Sequence, residues 1–276
     1  MKLEVNDERL YQRARHRARV LVPIQDGCVF VISDAHYYGE ESMAHRASLV
    51  LAKKLRPWAI INNGDEIDGA SISRWPVGSF HELSQRPSVH DEIKLAAKRL
   101  GDYERMKHVL LRVWNLGNHS ARFETKLADL VPQYAGVPGF TLKDHFPGWL
   151  PAWRTDFVDP EGSPKVIIQH RFKSGNHAGQ NNVLWSGTNY VTGHDHMLKA
   201  YSVTTAQGLL WGIHAGTMAP IDSPLFTHYT EDRPVNWQEG FPILWFREGR
   251  FIGPELVHVT PDQRVLFRGE ILKVPK

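Results

Sequence analysis

Five short runs carry aspartate, histidine and asparagine in one repeated setting, an apolar stretch that stops at a glycine or a small polar turn. They are Asp34-Ala35-His36 after Val31-Ile32-Ser33, Gly64-Asp65-Glu66-Ile67-Asp68 after Ile60-Ile61-Asn62-Asn63, Gly117-Asn118-His119 after Val113-Trp114, His170 after Val166-Ile167-Ile168-Gln169, and Gly193-His194-Asp195-His196 after Tyr190-Val191-Thr192. Open α/β sheets gather ligands at the carboxyl ends of their strands, and glycine permits the sharp exit that turns the next side chain into a shared crevice. The donors are carboxylate, imidazole and one amide oxygen, without thiolate, a set suited to hard or borderline divalent cations. Two such cations about 3.5–4 Å apart need a bridging carboxylate, and together they acidify a water and clamp an in-line displacement at phosphorus. Phosphate ester hydrolysis is the chemistry the pattern predicts. Singly each motif is weak, but five in order, each ending an apolar run, form a specific signal.

The elements that must carry these motifs can be read from periodicity. Val20-Leu21-Val22 and Cys28-Val29-Phe30-Val31-Ile32 read as two strands separated by a turn at Pro23 and Asp26-Gly27. The apolar spacing from Glu41 to Leu55 predicts an amphipathic helix, and Trp58 to Ile61 a further buried strand, which together make a βαβ opening. Residues 88–107, with Ser88 as cap, read as a second long helix, followed by a strand over Val109–Trp114 and a helix from about Ser120 to Val131. After that, prolines and tryptophans become frequent and short strands dominate, such as Val166-Ile167-Ile168 and Leu209-Leu210-Trp211. No internal repeat or Gly/Ser linker marks a boundary, so the division expected is a basic N-terminal arm with the first strand over residues 1–24 and a single domain over 25–276. Within the arm, residues 6–19 read as a basic helix, more simply a solvated arm than a nucleic-acid contact.

Composition narrows the function classes. The chain has 276 residues, enough for one large domain or two small ones, and no apolar run near the eighteen or so residues of a membrane-spanning helix. The opening Met1-Lys2-Leu3-Glu4-Val5, followed by five arginines up to Arg19, lacks the apolar core of a secretory signal, so a cytoplasmic location without membrane partners is expected. The lone Cys28 permits neither an internal disulfide nor a thiolate zinc site. With Lys+Arg 33 against Asp+Glu 30, the net charge of +3 supplies no general polyanion attraction, and any nucleic-acid role must rest on local patches. Histidine, at fifteen residues, is the type in excess where metal chemistry would put it.

In its motifs the chain resembles the calcineurin-like metallophosphoesterases, whose ordered signature is Asp-x-His, Gly-Asp-x-x-Asp, Gly-Asn-His-(Asp/Glu), His and Gly-His-x-His; the match spans residues 34–196. The resemblance implies an α/β fold, a four-layer α/β/β/α sandwich with a dimetal centre at the top of two sheets. It implies that Asp34, His36, Asp65 and His196 hold one metal and Asp65, Asn118, His170 and His194 the other, Asp65 bridging. Manganese is the expected ion, with iron, zinc or nickel also compatible with this ligand mixture. It implies a hydroxide on the metal pair attacking phosphorus directly, with His119 beside the phosphate as the catalytic histidine. The chain departs from the pattern where Ser120 stands in place of the usual carboxylate, a weaker partner for that imidazole unless another acid takes the task. It departs again after His170, where Arg171 replaces a common glycine; His177 is the competitor for that ligand position. Asp68 reads as a supporting or turn residue and Asp195 as structural.

Substrate class follows from a missing arginine. Protein phosphatases of this type continue the second motif as Asp-Arg-Gly, whereas this chain reads Asp68-Gly69-Ala70, with Arg74 as a possible substitute. Without a strong clamp for a dianion, a diester monoanion is the better ground state, so a phosphodiesterase or nuclease is favoured over a phosphomonoesterase acting on nucleotides or proteins. A non-catalytic scaffold of the same fold is disfavoured by the intact ligand set. Asn118 and His119 would also touch substrate. The segment Phe80–Arg99 is a candidate cap over the site, and Met218, Phe226, His228, Tyr229, Arg233 and Trp237 offer aromatics and cations that could stack on bases, although Trp237 and Phe241 read better as core. Phe251-Ile252 and Val265-Leu266-Phe267 read as sheet edges or an interface.

Overall fold

The computed structural model describes residues 19–74, 84, 86–222, 230 and 234–275. Fourteen strands and five α-helices are found among them. The strands are β1 Val20–Pro23, β2 Gly27–Ile32, β3 Ala59–Asn62, β4 Leu111–Asn115, β5 Leu150–Ala152, β6 Arg154–Val158, β7 Pro164–Gln169, β8 Asn189–Thr192, β9 Leu198–Thr205, β10 Gly208–Ala215, β11 Gly240–Arg247, β12 Arg250–Val259, β13 Val265–Phe267 and β14 Glu270–Leu272. The helices are α1 Met43–Leu55, α2 Val89–Glu104, α3 Ser120–Leu130, α4 Leu142–His145 and α5 Ala178–Ser186.

The strands form an eight-stranded sheet in the order β14-β13-β12-β11-β2-β3-β4-β5 and a six-stranded sheet in the order β1-β6-β7-β8-β10-β9. β2 through β5 run parallel, as do β7, β8 and β10, while β11 to β14 extend the larger sheet antiparallel. Strands buried on both faces need apolar residues at every position, and β2 obeys. Its Val29 and Val31 face the other sheet in a core with Ile61, Val113, Phe157, Ile168 and Ile213. Its Phe30 and Ile32 point the opposite way, into a core with Ala44 and Leu51 of α1 and Ile93, Ala96 and Leu100 of α2. On the far side of the smaller sheet, Val183 of α5 packs on Ile167 and Tyr190. Helices outside, two sheets inside: this is the α/β/β/α sandwich that the resemblance implied.

Among the described residues the expected strands and helices of the first half are present, and α2 is capped by Ser88 as expected. The Ser42 hydroxyl accepts from the His45 N–H (3.1 Å) at the start of α1, and Ser88 accepts from the Asp91 N–H (3.1 Å) at the start of α2. Such a cap stabilises a helix by about 1 kcal/mol. β1 and β2 are both present, β1 paired with β6 in the smaller sheet and β2 with β3 and β11 in the larger. Two readings need correction. The described part of the expected cap, α2, lies in the outer helical layer instead of over the site, because its apolar face meets the large sheet. Trp237 is half-buried beside His196, ring centroids 4.7 Å apart, rather than in the core, whereas Phe241 is core and packs on Phe30 at 5.5 Å. The arm over residues 1–18 and Phe226, His228, Tyr229 and Arg233 lie outside the described residues.

A buried polar bridge sets how the two sheets meet. Asn115, at the end of β4, donates to the Asn63 Oδ1 (3.1 Å) and to the Ile168 carbonyl of β7 (3.0 Å), while its own Oδ1 accepts from Thr155 of β6 (2.8 Å). An amide satisfied on all these sides in a dry core fixes one alignment of the sheets, since any slip would orphan its donors.

Candidate metal centre

Register brings the five motifs to one level. Ile32, Asn62 and Trp114 are aligned across β2, β3 and β4, and Gln169, Thr192 and His214 across β7, β8 and β10. Each motif therefore leaves its sheet at the same edge of the sandwich. The motif residues form three groups of donor atoms, each with all members within 4.8 Å of one another: Asp34, His36 and His196; Asp65, His170 and His194; and His36, Asp68 and His119. In the first, His196 Nε2 lies 3.3 Å from Asp34 Oδ1; in the second, His170 Nε2 lies 3.0 Å from Asp65 Oδ2 and 3.2 Å from Asn118 Oδ1. His177 is exposed just before α5 and belongs to none of these groups. Arg74 is exposed beyond the 3-10 turn Ala70–Ile72.

The backbone is strained to make this arrangement. Nine non-glycine residues have positive φ among those described, and five of them are Asp34, His36, Asp65, His194 and His196. A left-handed conformation costs a non-glycine residue about 1 kcal/mol or more, and persists where surrounding structure over-determines it, commonly at functional sites. The neighbouring glycines are required by proximity. A Cβ on Gly64 would lie 2.6 Å from the Gly117 nitrogen, one on Gly117 would overlap the Asp65 carboxylate, and one on Gly193 would meet Ser33 and come 2.7 Å from Asp34 Oδ2.

Hydrogen bonds aim the donors. The His170 Nδ1–H donates to the Asn63 carbonyl at 2.7 Å, which leaves Nε2 as the nitrogen that faces Asp65 and Asn118 and that would give up its proton to bind a cation. This is the usual support for a metal-binding imidazole. Asp34 accepts from the Ser33 hydroxyl (2.5 Å) and from the His194 N–H (3.0 Å), and Asp65 Oδ1 accepts from the His119 N–H (2.8 Å). Burial alone would push Asp34 up, yet His170 and His196 bring it down to about 2; Asp65 is likewise driven well below the usual carboxylate range by His170 and His119. The same pairing works in reverse on His170, where Asp65 and Asp34 overcome burial and raise it to about 9. Buried anions this demanding of positive charge, with imidazole, carboxylate and amide donors and no thiolate, fit divalent cations.

His119 has its acid, and it is not the residue that follows it. Its Nδ1 lies 2.9 Å from Asp68 Oδ1 and 2.8 Å from the Asp68 carbonyl, and Asp68 Oδ1 is also 3.2 Å from His36 Nδ1. Burial would lower His119, but Asp65 and Asp68 raise it overall. Ser120 turns the other way: its oxygen accepts from the Asp65 (3.1 Å) and Gly117 (3.3 Å) N–H groups, and its hydroxyl donates to Glu66 (2.9 Å). Glu66, pushed up to about 7 by burial, also accepts from the Trp114 indole at 2.9 Å.

Two supporting residues escaped sequence reading. Glu92 of α2 accepts from the Asp68 and Gly69 N–H groups at 2.8 and 2.7 Å, holding the turn that aims Asp68. Arg122 of α3 donates to the Asp68 carbonyl at 2.9 Å and sets its Nη2 3.2 Å from His119 Nε2. Arg122 had a signal: it stands three residues after His119 at a helix start, on the same face. Glu92 had none, because its contact is with backbone more than twenty residues away. Asp195, between two candidate ligands, accepts from the Gly175 N–H (3.0 Å).

No family model matches the chain. It is similar to two curated proteins, each called "Gene 54 protein": that of Mycobacterium phage D29, 25% identical over 249 residues, and that of Mycobacterium phage L5, 24% identical over 252 residues, covering in both cases 84% of this chain and 93% of the relative. Among solved structures it is similar to a Vps29 single mutant from Entamoeba histolytica (11% identity, 89% of this chain and 96% of that one, TM-score 0.41). Another is a phosphoesterase, YfcE, from E. coli (15% identity, 90% and 100%, TM-score 0.39).

Proposed function

We propose that this protein is a metal-dependent phosphoester hydrolase that cleaves phosphodiesters. The observation that carries the reading is the meeting of two Asp/His groups at one edge of the sandwich, with five of their six members held in left-handed backbone. Asp34, His36, Asp65 and His196 would hold one divalent cation, and Asp65, Asn118, His170 and His194 the other, with manganese the expected ion. Such a pair, when bound, supplies Lewis-acid charge and lowers the pKa of a bound water.

The chain's own residues supply the rest. His119, held through Nδ1 by Asp68, presents Nε2 to the site, where an imidazolium can protonate a leaving alkoxide or stabilise charge on phosphate. Arg122 directs a second donor at the same point. An imidazolium and a guanidinium this close repel, and a phosphate oxygen within reach of both nitrogens accepts from both. In this reading Arg122, not Arg74, is the cation that grips substrate.

The same arginine supports a second reading, phosphomonoester hydrolysis, since it provides the clamp that Asp68-Gly69-Ala70 lacks. Metal-stripped protein reloaded with manganese and assayed on bis(p-nitrophenyl) phosphate and p-nitrophenyl phosphate separates them. Faster diester turnover, lost by orders of magnitude in Asp65→Asn, is the expected result; a monoester preference would favour the second reading. No turnover of either by metal-loaded protein would overturn both in favour of a scaffold.

A further inference from the structure

Immediately beyond His170 the surface changes character. Arg171, Phe172 and Lys173 are followed, across one turn, by α5, whose last turn presents Leu184 and Trp185. Phe172 is 46% exposed, Leu184 57% and Trp185 72%, so three large apolar side chains share one stretch of surface. Lys173 ties them together: its ammonium sits 4.3 Å from the centre of the Trp185 ring and 5.6 Å from that of Phe172. From Ser163 to His194 the chain carries no acidic residue.

The platform is built on rigid parts. Phe172 stacks on Tyr190 of β8, centroids 5.7 Å apart and rings 25° from parallel. The Lys173 N–H donates to buried Asn182 Oδ1 at 2.9 Å, and the Gly179 N–H to His214 Nε2 at 2.9 Å, which pins the start of α5 onto β10. Gly212 lets the helix approach so closely that a Cβ there would overlap the Gly179 carbonyl. An exposed tryptophan on a pre-organised base loses little entropy when something stacks on it.

We infer that Trp185, Lys173, Phe172 and Arg171 form a docking platform for single-stranded nucleic acid, leading a strand from this surface to the centre that His170 adjoins. The inference rests on the phosphodiesterase reading and names its substrate class. Charge decides the occupant. Aromatic faces with interleaved cations suit a polyanion with π-faces: bases stack on Trp185 and Phe172, and phosphates pair with Arg171 and Lys173, while the Asp195 carboxylate that reaches the turn before α5 is engaged by the Gly175 N–H. A partner protein or second copy would bury the apolar rings but would have to answer the cations with acids of its own.

The test measures binding apart from turnover. Fluorescein-labelled oligothymidylate is titrated with the full chain by anisotropy at two salt concentrations, alongside hydrolysis of bis(p-nitrophenyl) phosphate. For Trp185→Ala, affinity for the oligonucleotide should fall about 10-fold, the loss of one stacked base. For Lys173→Gln it should fall with a shallower salt dependence. Small-diester turnover should be unchanged in both. Trp185 is exposed and Lys173 half-buried, and a matching thermal midpoint checks that each variant is folded. Undiminished oligonucleotide binding in Trp185→Ala, or none in the wild type, would overturn the platform even if the small diester is cleaved. A wild-type dimer that Trp185→Ala converts to monomer in sedimentation would overturn it in favour of a second copy. Failure of small-diester turnover with oligonucleotide binding intact would instead count against the hydrolase reading and leave the platform standing.

Discussion

Replacing Asp68 by asparagine isolates what the carboxylate does for His119. The side chain keeps its shape and can still accept from the His119 Nδ1–H, at a site where Asp68 Oδ1 now stands 2.9 Å away. What it loses is charge. A hydrogen bond to a charged partner contributes about 1.5–3 kcal/mol against about 1 kcal/mol for a neutral one, so the imidazolium form of His119 loses on the order of 0.5–2 kcal/mol, or roughly 2- to 30-fold. That loss should appear only where the histidine's proton is needed. With bis(p-nitrophenyl) phosphate the leaving p-nitrophenolate departs without protonation, and kcat should change little. With a dinucleotide, whose leaving group is an alkoxide, kcat should fall by the full factor. Steady-state kinetics of Asp68→Asn on both substrates, with manganese saturating, makes the comparison. Equal losses on the two substrates would refute the assignment of His119 as the acid and leave Asp68 as a residue that merely shapes the site through its contact with His36.

Two further outcomes follow from buried polar groups. Ser120→Ala should cost about 1–3 kcal/mol of stability in urea denaturation, because the Asp65 and Gly117 N–H groups and the Glu66 carboxyl lose a partner in the interior, yet its activity should show no leaving-group dependence. Glu239, buried and accepting from the Ala44 N–H at the start of α1 (2.8 Å), is pushed up to about 7 by burial, from an ordinary value of 4.5. The folded protein then binds the extra proton between those values, so this group's contribution to stability declines as pH rises from about 4.5 through 7 and is lower by about 3 kcal/mol at pH 8. Glu239→Gln removes that dependence, and its stability relative to wild type should rise between pH 5 and pH 8; a difference that stays flat across urea titrations at both pH values would refute the assignment.

The strands that carry the motifs were legible because they are buried on both faces. β2, β3 and β4 carry apolar runs that end just before the turns bearing the motifs, with half-buried Arg112 of β4 as an exception that donates to the Tyr103 carbonyl. α5 was not legible: its apolar residues Val183, Leu184 and Trp185 are consecutive, not spaced by a helical turn, and two of the three are exposed. Nor could local sequence reveal that β1 and β2 belong to different sheets, since that is decided by pairing with distant strands, β6 for β1 and β3 and β11 for β2.

The site divides in the same way. Ligand types and their glycines are local properties, and glycine's role here is steric, so the spacing Gly-Asp, Gly-Asn-His and Gly-His-x-His shows directly in the chain. The support for His119 is tertiary. Sequence adjacency draws attention to Ser120, but His119 begins α3 with helical backbone, so the next side chain turns away from the imidazole and toward the Asp65 turn. The turn after β3 brings Asp68 under His119 instead, and Glu92 fixes that turn through two backbone N–H groups that no side-chain pattern records. A carboxylate partner for the histidine is thus supplied by the second motif when the third lacks it, and the loss of charge at position 120 is a relocation of the acid, with Ser120 free to brace Asp65.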